Sequence, residues 1–180
     1  YEGQMISGQR GGQGTLTLSN GLVYVGTWAD GQMSGQGKLT QPNGDVYEGA
    51  LAAGKRQGQG KVTYANGDVY DGGFVADKRE GKGTFLGKDG YIYEGDWKAG
   101  QIAGTGKVTY PDGSVYEGQF KADQADGKGK ITYKDGSTRT IITRDDGTQI
   151  VTIRDALGRV LRRAGRQHQR HFNGLPSPGP

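Results

Sequence analysis

The sequence predicts an all-β fold: an elongated, twisted, single-layer antiparallel meander of β-hairpin repeats with a C-terminal capping hairpin. Three observations carry that reading. Tyr24, Tyr47, Tyr70, Tyr93 and Tyr116 recur at a constant step of 23 residues, and Tyr1 begins the series one step earlier. Within each unit, glycine or large apolar residues alternate with polar ones, the period of two that belongs to strands. An Asn-Gly or Asp-Gly pair closes every unit, from Asn20-Gly21 to Asp135-Gly136, a strong short-range sign of a hairpin turn.

Each unit reads as two short strands. In Val46–Leu51, Tyr47, Gly49 and Leu51 share a face, as every second residue of a strand does. In Gly58–Tyr64, Gly58, Gly60, Val62 and Tyr64 share a face, while Lys61 and Thr63 point the other way. Asn66-Gly67 is expected to form a two-residue type I′ turn, and a longer glycine-containing stretch near Ala53–Gln57 makes the other connection. Six such units fill residues 1–138 without insertion, giving about twelve strands in chain order. A glycine between two large residues leaves a hole on that face. An aromatic ring lying over backbone fills it, so the Tyr and Trp/Phe columns should form an aromatic stripe with glycine columns as the groove floor.

Composition excludes several classes. Gly occupies 36 of 180 positions and apolar residues only 32%, against about 45–50% in an ordinary globular domain. The long buried Val/Ile/Leu runs of a three-layer α/β enzyme are missing, and no apolar run approaches the roughly 20 residues of a membrane helix. Five Pro without glycine at every third position exclude collagen. Zero Cys removes disulfides, thiolate zinc sites and Cys nucleophiles. The chain opens without Met on the Tyr of a repeat and reads as trimmed or processed.

The pattern Tyr-Glu-Gly-x-Phe/Trp, then Gly-x-Gly, closing with Asp/Asn-Gly, resembles the MORN (membrane occupation and recognition nexus) repeat. Tyr93-Glu94-Gly95-Asp96-Trp97 through Gly104, Gly106 and Asp112-Gly113 is near the family consensus, and Tyr116–Phe120 through Gly127 and Gly129 is similarly close. The departures are Val25 where an acid is usual, Met5 and Leu51 in place of the aromatic, and Gly87 in the second strand of the fourth unit. The resemblance implies an array of hairpins used for binding. The family is associated with phospholipids, membrane-adjacent scaffolds, self-association and docking of peptides or helices in a groove, and it also accompanies catalytic domains in longer chains.

The charge is uneven. Residues 1–138 carry 15 Lys/Arg against 16 Asp/Glu, whereas residues 139–180 carry 8 Arg against 3 Asp. At 139 the series continues with Arg in place of Tyr. The β-branched runs around Asp146-Gly147 predict a hairpin, and Arg159–Arg163 reads as a third strand or a short helix, so 139–164 is expected to cap the array. Residues 165–180 read as a basic, Pro/Gly-containing flexible tail. Arg159, Arg162, Arg163, Arg166 and Arg170 form a possible contact with an anionic surface.

Other motifs fail on context. Gly49–Lys55 matches the opening of a phosphate loop, but Arg56 stands where Ser/Thr must bind magnesium, and a strand follows instead of a helix. His168 and His171 lack the further fixed ligands zinc needs. Glu48, Asp71, Glu94 and Glu117 recur as a column on the face opposite Tyr; such a row reads as exposed charges facing Lys61 and Lys107 across strands, not as an acid–base pair. No catalytic residue, metal site, cofactor, nucleic-acid partner or small-molecule substrate is expected.

The leading expectation is a non-enzymatic scaffold that binds a protein segment or a second copy. Its groove is expected to be lined by Tyr24, Trp28, Tyr47, Tyr70, Phe74, Tyr93, Trp97, Tyr116 and Phe120. Peripheral binding to anionic phospholipid through the basic tail is the second reading, and an accessory region of a larger enzyme the third. The sequence leaves the compartment open.

Overall fold

The structure, a computed structural model, describes residues 1–165. The chain divides into two units, Tyr1–Lys88 and Asp89–Pro180. The first holds β1 (Glu2–Ile6), β2 (Gln9–Thr17), β3 (Val23–Ala29), β4 (Gln32–Thr40), β5 (Val46–Ala52), β6 (Lys55–Thr63), β7 (Val69–Val75) and β8 (Lys78–Leu86). The second holds β9 (Ile92–Lys98), β10 (Gln101–Thr109), β11 (Val115–Lys121), β12 (Gln124–Thr132), β13 (Thr138–Thr143), β14 (Gln149–Arg154) and β15 (Val160–Gly165). Within each unit every strand runs antiparallel to the next in chain order. No helix occurs among the described residues. The expected antiparallel meander of hairpins is therefore the fold.

The register explains the repeat. Tyr47 opposes Val62, Glu48 opposes Lys61 and Gly49 opposes Gly60. Beyond Gly49 the register shifts, and Leu51 opposes Arg56. β6 thus carries a bulge around Gly58, whose φ of 86° suits glycine. The same shift recurs at β3/β4, β7/β8, β9/β10 and β11/β12.

The two kinds of turn are exchanged relative to the sequence expectation. At Asn66-Gly67 only Gly67 has a positive φ. Tyr64 C=O accepts from Gly67 N–H (2.9 Å), and Tyr64 N–H donates to Asp68 C=O (2.9 Å), which is a type I turn closed by a left-handed glycine. The Asn66 Oδ1 accepts the Asp68 N–H at 2.9 Å, an Asx turn that the bare dipeptide rule omits. The two-residue turn with both φ positive is instead Ala53-Gly54 (49° and 75°), and Lys55–Gln57 already belongs to β6. Within a unit these tight turns lock a hairpin to the one before it. Gly31, Gly54, Asp77 and Asp123 donate N–H to the carbonyls of Arg10, Met33, Arg56 and Ile102 at 2.9–3.0 Å.

β13 and β14 form the expected hairpin around Asp146-Gly147, and β15 adds the third strand, reaching Gly165. The row that reads Tyr116–Ile131 in the repeats continues as Arg139–Ile153–Arg162. The adjoining row Gly118–Gly129 continues as Ile141–Val151–Ala164. The flexible-tail reading of 166–180 falls outside the described residues.

Candidate functional site

The core lies on one face of the sheet, the ring face, and is built one Tyr at a time. Each Tyr lies over the paired glycines of its own unit. A Cβ on Gly106 would stand 2.5 Å from Tyr93 Cε2, and one on Gly95 would stand 2.6 Å from Gly106 Cα. No side chain fits there. The hydroxyl then finds a backbone acceptor three residues on: Tyr24 to Thr27 (2.9 Å), Tyr47 to Ala50 (2.6 Å), Tyr70 to Gly73 (2.9 Å), Tyr93 to Asp96 (2.8 Å) and Tyr116 to Gln119 (3.1 Å). A buried phenol is thereby satisfied without water.

The Trp/Phe column packs edge to face against these rings. Phe74 meets Tyr47 at 5.3 Å and Tyr70 at 5.2 Å, with interplanar angles of 85° and 87°. Phe120 does the same with Tyr93 (5.4 Å) and Tyr116 (5.1 Å). Trp28 contacts Tyr1 and Tyr24, and its indole N–H donates to Gly14 C=O at 3.2 Å. Leu51 fills the aromatic position of its unit. Each ring pair contributes about 0.5–1.5 kcal/mol beyond its area burial.

All nine residues expected to line the groove are thus gathered on one face within their units, at 0–5% exposure. The glycine floor is not open: the Tyr of the same unit covers it. Burial raises the pKa of these phenols, to about 12 for Tyr47, where the Arg56 charge acts in the opposite sense, and to about 12 for Tyr116. Tyr24, Tyr70 and Tyr93 are raised for the same first reason.

Above the rings lies a set that sequence reading missed. Nine residues after each Tyr stand Arg10, Met33, Arg56, Arg79, Ile102 and Ala125. The bulge places them across from the Trp/Phe column. The Arg10 guanidinium carbon lies 4.5 Å from the Trp28 ring centroid, Arg56 lies 5.1 Å from Phe74, and Arg79 lies 5.7 Å from Tyr70. All three are half-buried. Arg56 also pairs with Asp77 at 3.4 Å. The constant spacing from Tyr was the available signal; the bulge that gives it meaning was not.

The opposite face carries charge in alternation. Lys38, Glu48, Lys61 and Asp71 are successive cross-strand neighbours in the first unit, as are Glu94, Lys107, Glu117 and Lys130 in the second. This is the expected charge row. Lys38 and Glu48 meet at 3.2 Å, both more than half exposed, and such a pair contributes about 0–1 kcal/mol.

The basic C-terminal set is not brought together. Arg162 opposes Ile153 and Arg163 opposes Thr152, so they point to opposite faces. Arg159 pairs with Asp155 at 2.6 Å. Arg166 and Arg170, like His168 and His171, lie outside the described residues. Among the described residues no group of His, Cys, Asp and Glu is placed to hold a metal ion.

A family model described as MORN repeat matches residues 1–23, 24–46, 47–69, 70–90, 93–115 and 116–138. Among solved structures the chain is similar to the SAS-4 (dCPAP) TCP domain of Drosophila melanogaster, in complex with a proline-rich motif of Ana2 (dSTIL). The identity is 18%, the TM-score 0.50, and the match covers 83% of this chain and 82% of that one. At that identity the likeness is one of fold. No curated protein matches the chain at a significant level.

Proposed function

Proceeding from the fact that this chain belongs to the MORN repeat family, a non-catalytic repeat type, we propose that it is a scaffold whose ring face binds a segment of a partner protein. One observation carries the reading. In the first unit, the cover over the aromatic row is a set of long side chains, Arg10, Met33, Arg56 and Arg79, each only half-buried. Met33 is unbranched and adapts at low cost, whereas Arg56 is tied to Asp77. An incoming segment can slide between them and meet the edges of Trp28, Tyr47 and Phe74, residue types that commonly anchor interfaces. The solved structure of the similar TCP domain is in complex with a proline-rich motif, which agrees with use of this sheet for binding segments.

The charge face draws less support, because its neighbouring charges alternate and answer one another. The anionic-membrane reading draws less as well, since Arg162 and Arg163 diverge and Arg159 is paired.

The chain has no cysteine, so single labels are clean. A fluorescent label at Met33→Cys reports the ring face, and one at Lys61→Cys reports the charge face. Titration with proline-rich, acidic and amphipathic-helix peptides should change the Met33 label with at least one peptide and leave the Lys61 label unmoved. A response at Lys61 alone, or at neither position with every peptide, contradicts the proposal.

A further inference from the structure

The outer side of β15 is an open edge of the second unit. Among the described residues β15 pairs with β14 alone, so the backbone groups along its other side meet no strand. We infer that this edge is a docking site for an acidic, extended segment of a partner protein, added antiparallel as the next strand of the sheet. The site is separate from the ring face of the first unit and does not rest on that reading. The side chains of β15 state what complements it. Arg162 and Arg163 are exposed, and neither enters an ion pair among the described residues. Arg159 and Arg154 are by contrast engaged, with the Asp155 carboxylate at 2.6 Å and the Gly158 carbonyl at 3.0 Å.

The two free arginines point to opposite faces, Arg162 in the row of Ile153 and Arg163 in that of Thr152. A flat anionic surface meets one of them. An added strand meets both, because its own consecutive residues alternate between the faces. Two adjacent acids therefore answer the pair, one on each face. Ala164 extends the apolar row Ile141–Val151, and Val160 and Leu161 are exposed on the other side of the arginines. The segment that fits thus reads apolar, acid, acid from its N-terminal end, with a further apolar residue toward its C-terminal end. Other occupants fail on charge. Residues 166–180 contain Arg166 and Arg170 and no Asp or Glu. A second copy joined through β15 about a two-fold axis sets Arg162 against Arg163, or one of them against itself, in the registers centred on the pair, and like charges placed opposite one another destabilise a strand pair. The arginines thus keep copies apart and select an acid.

The test uses the full chain and two fluorescent peptides, Thr-Val-Glu-Glu-Thr-Val-Thr and its Gln-Gln counterpart, read by anisotropy, with amide exchange reporting where each binds. The Glu peptide should bind at least about tenfold more tightly at low salt, with the ratio narrowing as salt rises, and should slow exchange of the β15 amides. Arg162→Gln with Arg163→Gln should abolish the ratio, and Arg166→Gln with Arg170→Gln should leave it intact. If the first pair lowers the thermal midpoint, Arg162→Glu with Arg163→Glu should turn the preference toward a Lys-Lys peptide. Equal affinity for the two peptides, no binding of either, or a Glu preference that survives loss of Arg162 and Arg163 overturns the inference. So does a Glu peptide that moves the Met33→Cys label while β15 exchange is unchanged, which places it on the ring face. Protection of β15 that grows with protein concentration in the absence of peptide, the same protection by phosphatidylserine vesicles, or loss of the ratio with Arg166 and Arg170 overturns it in favour of a second copy, a lipid surface or the C-terminal residues.

Discussion

The last repeat and the cap share one sheet but fill its ring face differently. In β11 and β12, Tyr116 covers Gly118 and Gly129 and donates its hydroxyl to a backbone carbonyl. Across β13 to β15 the same rows carry Arg139 and Ile141, then Ile153 and Val151, then Arg162 and Ala164. Ile141 is buried, whereas Val160 and Leu161 on β15 are 52% and 66% exposed. The repeats bury a large ring against bare backbone. The cap relies on β-branched side chains packed beside one another. A sheet that lacks a second layer is therefore stabilised most where side chains are absent, because that absence admits the ring.

The comparison can be broken first at a glycine. Gly60→Val drives a side chain into the Tyr47 ring and should cost about 4 kcal/mol or abolish cooperative folding. Ala164→Val, on the corresponding row of the cap, should change stability by no more than about 1 kcal/mol. Urea unfolding of the two variants gives the contrast.

Alkali separates the regions next. A phenol whose folded pKa is raised contributes stability that is whole below its unfolded value, about 10, and is lost as pH rises through the folded value. Tyr47 and Tyr116 are raised to about 12, so the repeats should loosen between pH 10 and 12. The cap strands contain no Tyr. Amide exchange followed against pH should show repeat strands losing protection as those phenols ionise, with β13 and β14 responding only through the loss of their neighbour β12.

The smallest effect sharpens the turn assignment. Ala76 is held at φ 47°, a conformation that costs a side-chain-bearing residue about 1–2 kcal/mol. Ala76→Gly should raise stability by up to about 1 kcal/mol by thermal unfolding, after the entropy of glycine is deducted.

Much of this was legible in the sequence. Tyr, Gly and Trp/Phe share a strand face by parity alone, and the 23-residue step aligns those faces, so the core and the alternating charge row followed from counting. The turns did not, because Asn66-Gly67 satisfies the dipeptide rule for a type I′ turn while its Asx bond and the paired strand lengths select a three-residue turn. Ala53 gives no sequence sign of a positive φ. The arginine cover was hidden for a related reason. A regular ladder continuing from Gly49 and Gly60 would set Leu51 opposite Gly58, and only the bulge brings Arg56 there.

The claim beneath both regions is that Tyr and glycine act as one unit, ring on backbone. A double-mutant cycle on Gly106 and Tyr93 tests it, with Gly106→Ala, Tyr93→Leu and their combination measured by equilibrium urea unfolding. The account predicts that Gly106→Ala is strongly destabilising when Tyr93 is present and nearly silent when it is not, a coupling of about 2–3 kcal/mol. Additive effects of the two substitutions would contradict it.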